Sequence, residues 1–192
     1  MEEEIIFNQE QPQPAPTEEK PKKDIKNEII DWAKTLLLYC ALPLIVFQTF
    51  CFIANVPTGS MEETIPAGAQ VLTVRCFDKD DIERGDIVVF NSEELEVVLI
   101  KRCLGTPGDT VYFDGTGKVF INGALIYEGY LGSNNNFEGE FVVPEDHYFF
   151  AGDNRAASLD ARYWENPYIH KDEIKGKAVF VLFPFRSFGT LN

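Results

Sequence analysis

Two residues in this chain have the types and settings for nucleophilic chemistry: a serine on a sharp turn and a lysine that follows an apolar run. Ser60 lies in Val56-Pro-Thr-Gly-Ser-Met-Glu-Glu-Thr-Ile-Pro-Ala-Gly68, where Gly59 lets the backbone turn and Pro57 fixes the approach. Gly-Ser pairs are also ordinary loop features, so the turn alone assigns nothing. A serine hydroxyl is a poor nucleophile until a base takes its proton. His147 and His170 are possible bases, but neither has a distinctive setting and both read as surface or packing residues. Lys101 follows Val97-Val-Leu-Ile100, so its stem begins inside an apolar strand. Such a lysine is ordinarily a snorkelling surface residue. To act as a base it must be neutral, and at its reference pKa of ~10.4 about one in a few thousand is neutral at pH 7. Burial disfavours the ammonium and can lower that pKa by several units. A Ser-Lys pair is one form of the serine hydrolase arrangement.

The elements that must position these groups begin with an uncharged stretch. Thr35 to Ala54 carries no charge over roughly 20 residues, enough to cross a bilayer core as a helix. Pro43 is tolerated there more readily than in a soluble helix. A buried core helix would rarely be apolar on every side for so long. A cleaved secretory signal fits less well, because about 34 residues precede the run and it exceeds a signal core. Residues 1–25, rich in Glu, Gln, Pro and Lys, are predicted to form a disordered cytoplasmic tail. Residues 26–55 are predicted to form the membrane-anchoring helix, with the span at about 35–54. Lys20, Lys22, Lys23, Lys26 and Lys34 precede the span, and the first basic residue after it is Arg75. The positive-inside rule then keeps the N-terminus cytoplasmic and sends residues 56–192 outside the cell membrane.

That outer part reads as mainly β, with an antiparallel architecture. Gln70–Arg75 alternates apolar and polar residues, while Asp86–Phe90 and Val97–Ile100 are β-branched runs. Thr110–Phe113, Lys118–Ile121 and Ala124–Tyr127 are short strands separated by Asp114-Gly115 and Asn122-Gly123, both strong hairpin signals. His147–Ala151 and Lys177–Phe183 supply two more strands. Glu128–Glu140 reads as a mobile loop, and a helix signal is confined to Pro167–Glu173.

Composition narrows the function. A net charge of -14 argues against a nucleic-acid partner. The four cysteines form no Cys-x-x-Cys and the two histidines are far apart, so neither a metal site nor a cofactor is expected. Cys76 and Cys103 either pair, if they face an oxidising space, or stay free and buried.

Five segments in order, Thr58-Gly-Ser-Met-Glu-Glu-Thr-Ile65, Gly85-Asp-Ile-Val-Val-Phe90, Ile100-Lys-Arg-Cys-Leu-Gly-Thr-Pro-Gly-Asp109, Val143-Pro-Glu-Asp-His-Tyr-Phe149 and Gly152-Asp-Asn-Arg155, resemble the sequence boxes of bacterial type I signal peptidases. The resemblance implies a membrane-bound serine endopeptidase that removes signal peptides of secreted preproteins after a small-x-small motif. It implies Ser60 as nucleophile and Lys101 as general base. It also implies an oxyanion hole from Thr58 and the Ser60 N–H, Ser158 orienting the lysine, and support from Asp153, Asp160 and Arg162. Val56, Pro57, Leu99 and Ile100 correspond to edges that pair with an extended substrate. The chain departs from the family pattern at Glu63, Ala69, Ala156 and Ala157. A self-cleaving repressor of the Ser-Lys type would carry an N-terminal helix-turn-helix where this chain has its apolar span. A penicillin-recognising enzyme would need Ser-x-x-Lys, and residue 63 is Glu. An inactive, membrane-anchored binding domain is the remaining alternative.

Overall fold

The structure, a computed structural model, describes residues 25–126, 129 and 136–191. The chain divides into two compact units, residues 1–42 and 43–192. The predicted disordered tail and most of the predicted 128–140 loop lie outside the described residues. Helix α1, Ile25–Phe50, contains Pro43 without a break and buries none of its residues. It is long and apolar enough to cross a membrane by length and composition.

The helix stops earlier than its composition predicts. Residues 51–55 were expected in the helix, yet β1 (Cys51–Val56) starts directly after Phe50. Its antiparallel ladder with β2 (Ala69–Arg75) runs from Cys51↔Val74 to Val56↔Ala69. Hydropathy cannot separate the two states here, because Phe52, Ile53 and Val56 suit a strand as well as a membrane helix. The available partner strand decides.

The remaining strands are β3 (Ile87–Ser92), β4 (Val97–Gly105), β5 (Thr110–Asp114), β6 (Val119–Ile121), β7 (Ala124–Ile126), β8 (Glu138–Val142), β9 (His147–Ala151), β10 (Tyr168–His170), β11 (Ile174–Phe183) and β12 (Gly189–Thr190). They form two antiparallel sheets. The larger runs β1-β2-β11-β3-β4-β9-β10 with β12 beside β11, and the smaller runs β7-β6-β5-β8. The mainly β, antiparallel expectation therefore holds. The Asn122-Gly123 turn has φ of 51° and 79°, as a two-residue hairpin requires at both central positions. Two local expectations fail. Glu138–Glu140 belongs to β8, because it pairs with β5, and Pro167–Glu173 holds β10 and one 3-10 turn, because Tyr168–His170 pairs with β9.

β3 explains how the core is organised. It lies between β11 and β4, which pair both of its edges, and Ile87–Phe90 is buried on both faces, so Ile-Val-Val-Phe reads as an unbroken apolar run. Successive side chains point to opposite faces. Val88 and Phe90 join one cluster, with Val111, Phe113, Phe149 and Phe150 from both sheets. Ile87 and Val89 join the other, with Val56, Met61, Ile65, Val71 and Ile100. Met61 and Ile65 root the segment after Ser60 in this second cluster.

Candidate active site

Ser60 sits in a 3-10 turn, Gly59–Met61, four residues beyond the end of β1. Lys101 lies within β4 and pairs across the sheet with Val88. Its side chain therefore stands over the apolar face that the period-two rule assigns to Leu99 and Cys103. Both functional groups are covered: Ser60 is 8% exposed and Lys101 2%. The Lys101 Nζ donates to Ser60 Oγ at 2.5 Å, across 41 positions of sequence. Burial pushes the Lys101 amine down from 10.5 to about 8, against the pull of the Asp160 and Asp153 carboxylates. At pH 7 about one amine in ten is then neutral, against one in a few thousand for a free lysine.

The Thr58 and Ser60 hydroxyl oxygens lie 3.4 Å apart, and Thr58 is exposed. Both carboxylates expected to support the site are engaged. Asp153 accepts from Arg102 Nε at 2.9 Å and Arg102 Nη2 at 2.7 Å, and also from the Thr64 hydroxyl at 2.5 Å. Asp160 accepts from Arg162 Nε at 2.8 Å and Nη2 at 2.9 Å, and from the Gly152 N–H at 2.9 Å. These bidentate pairs are buried on both sides. Removing one partner of such a pair leaves an uncompensated buried charge and costs about 3–5 kcal/mol.

Ser158 is expected to orient the lysine. It is 4% exposed, and among the described residues its buried hydroxyl has no hydrogen-bond partner. It does lie beside the reacting turn. A Cβ on Gly152 would fall 2.3 Å from Ser158 Oγ and 2.4 Å from the Ser60 carbonyl oxygen. Only glycine permits this approach of the two segments.

Sequence reasoning missed three contributors. Asn154 clamps the Ser60 turn: its N–H donates to the Ser60 carbonyl at 3.1 Å and its Nδ2 to the Gly59 carbonyl at 3.0 Å. Arg102 and Thr64 hold Asp153. An arginine next to Lys101 in an apolar strand was the available signal, since a buried guanidinium demands a carboxylate. Among the departures from the family pattern, Ala156, Ala157 and Glu63 are exposed, and Ala69 is buried opposite Val56. Cys76 and Cys103 are both free, and burial pushes the Cys103 thiol upward.

Val56, Pro57, Leu99 and Ile100 border two open backbone edges. Among the described residues, β1 pairs with β2 alone. β4 pairs with β3 from Val97 to Arg102, whereas β9 joins its other side only from Arg102 onward. Among the described residues, Val97–Lys101 therefore has one unpaired edge. Val56 and Ile100 bury their side chains, so what they offer outward is backbone.

A hydroxyl bonded to a buried, partly neutral amine, flanked by open strand edges, suits acyl transfer to serine on an extended peptide. The family model described as signal peptidase, peptidase S26, matches residues 29–183. Signal peptidase I of Bacillus amyloliquefaciens is 36% identical over 183 residues, covering 88% of this chain and 93% of that protein. Signal peptidase I of Bacillus licheniformis is 37% identical over 186 residues, covering 88% and 96%. The crystal structure of a signal peptidase I from Enterococcus faecalis V583 is 30% identical, covers 50% of this chain and 96% of that one, and has a TM-score of 0.44.

Proposed function

The chain belongs to the signal peptidase family, peptidase S26, and from that membership we propose that Ser60 and Lys101 are the catalytic dyad of a membrane-anchored signal peptidase I. The enzyme is a serine endopeptidase that removes signal peptides. The observation that carries the dyad is the 2.5 Å hydrogen bond between the buried amine and the Ser60 hydroxyl. Neutral Lys101 takes the hydroxyl proton as Ser60 Oγ attacks the scissile carbonyl. The oxyanion is held by the Ser60 N–H and the Thr58 hydroxyl. The lysine then protonates the departing amine, and water, deprotonated by the same lysine, releases the acyl group. Ser158 is the hydroxyl that steadies the amine once substrate has closed the site; its unpaired, buried oxygen beside the Ser60 turn supports that role.

The substrate adds as an extended strand along the open edges at Val56-Pro57 and Leu99-Ile100. Its residues before the cut follow a small-x-small motif, as in the bacterial type I enzymes this chain resembles. The N-terminus is cytoplasmic and the β unit lies outside, at the surface where signal peptides emerge. The partners are then preproteins and the lipid bilayer. The deciding experiment is cleavage of a preprotein peptide in detergent by the parent, Ser60→Ala and Lys101→Ala. Loss of cleavage in both variants with unchanged far-UV circular dichroism is expected. Undiminished cleavage by either variant removes that residue from the mechanism.

A further inference from the structure

On the reading of Ser60 as the nucleophile, we infer that Asn154 is a positioning residue for the reaction: its side-chain amide holds the Gly59–Ser60 peptide unit so that the Ser60 N–H is aimed at the oxyanion.

A trans peptide unit is planar, with its C=O and N–H pointing opposite ways. Bonds made at the Gly59 carbonyl therefore set the direction of the Ser60 N–H on the other side. That carbonyl accepts twice: from the Glu62 N–H at 3.2 Å, and from Asn154 Nδ2 at 3.0 Å across 95 positions of sequence. The Glu62 bond is the ordinary closure of the 3-10 turn, and it already satisfies the oxygen. The amide bond adds direction. The unit can pivot about the single bonds on either side of it, and Gly59, without a Cβ, opposes that rotation least. The next unit is held as well, because the Ser60 carbonyl accepts from the Asn154 N–H at 3.1 Å. One residue thus fixes both peptide units that flank the Ser60 Cα. Bonds accepted at the Gly59 carbonyl also polarise its unit and strengthen the N–H as a donor.

Asn154 is itself held still. Its carbonyl accepts from the Ala157 and Ser158 N–H groups at 3.1 and 2.9 Å. Asp153 before it is locked by Arg102, and Arg155 after it donates from Nε to the Gly152 carbonyl at 3.0 Å. The amide is neutral, so it directs the donor without adding charge to the site. A donor of this kind counts only when it is aimed where charge develops. Releasing the clamp therefore costs the transition state and spares the bound substrate, so the loss falls on kcat.

The test uses the full chain in detergent with a preprotein peptide, comparing the parent, Asn154→Ala and Asn154→Leu, with Ser60→Ala as the inactive control. In both Asn154 variants kcat is expected to fall about tenfold to a hundredfold. KM should stay within about twofold, and the pH dependence of the rate should not move. A peptide aldehyde gives a second reading. Ser60 Oγ bonds to its carbonyl carbon, the hydroxyl proton passes to the carbonyl oxygen, and the resulting hemiacetal places that oxygen where the oxyanion forms. Aldehyde affinity should fall in step with kcat, while an uncleaved peptide binds Ser60→Ala equally well with and without Asn154→Ala. Parent kcat in either variant, a raised KM with kcat kept, or a shifted pH profile overturns the inference. Failure of both variants to fold marks the clamp as structural and overturns it too. A parent that does not cleave, or a Ser60→Ala variant that does, overturns the dyad reading instead.

Discussion

In the proposed dyad, the hydroxyl of Ser60 reacts only if one proton can leave the Lys101 amine, so pH is the direct probe at this scale. With the amine pushed down to about 8, activity should rise through pH 7 and 8 and level off above. A pH profile of kcat/KM on a soluble peptide in detergent checks this, and a rate flat from pH 6 to 10 sinks it. The same shift has a stability sign. The folded pKa is below the unfolded one, so the unfolded chain binds the proton more tightly and the parent gains stability as pH rises from about 8 to 10.5. Lys101→Met should therefore be inactive yet more stable than the parent at pH 6, by on the order of 3 kcal/mol at most. Denaturant unfolding at pH 6 and pH 10 measures the difference, which should shrink at the higher pH. Ser158 separates structural from catalytic roles in another way. Its hydroxyl makes no bond to lose, so Ser158→Ala should keep the parent Tm while lowering kcat. An unchanged kcat would remove it as the orienting group.

At the scale of elements, the site is a junction of three chain segments that only close packing brings together. The turn at Gly59–Met61 is held from below by Met61 and from the side by Asn154, and β4 delivers the lysine. Gly152 is the point of tightest approach. Gly152→Ala pushes a methyl group into the Ser60 carbonyl and the Ser158 hydroxyl. The expected cost is about 1–3 kcal/mol of stability. Activity should fall further than that loss accounts for, because the proposed nucleophile itself is displaced. Thermal unfolding alongside kcat on the same preparation checks both. A variant with parent kcat would show that the turn can shift without consequence.

The whole molecule combines a membrane helix with an acidic β unit. Its lysines before the span predict which side that unit occupies. Protease added to intact spheroplasts should digest the β unit and leave the helix protected. A β unit that resists digestion until the cells are lysed would overturn the orientation and the substrate with it.

The antiparallel strands were legible because alternation and Asn-Gly turns act over a few residues, as in β2 and the β6–β7 hairpin. The membrane helix was legible because an uncharged run of that length has few other homes. Ser60 and Lys101 stood out as candidates by the boxes around them, and Lys101 also by its apolar strand; that their side chains meet is what the fold adds. The extent of the helix was not legible, since residues 51–55 suit either state and the presence of β2 chose the strand. Nor were the roles of Asn154, Arg102 and Thr64 legible. Their partners are distant in sequence, and which donor meets which acceptor depends on packing that brings the segments together. The lowered pKa of Lys101 has the same origin: only the folded chain excludes water from that amine.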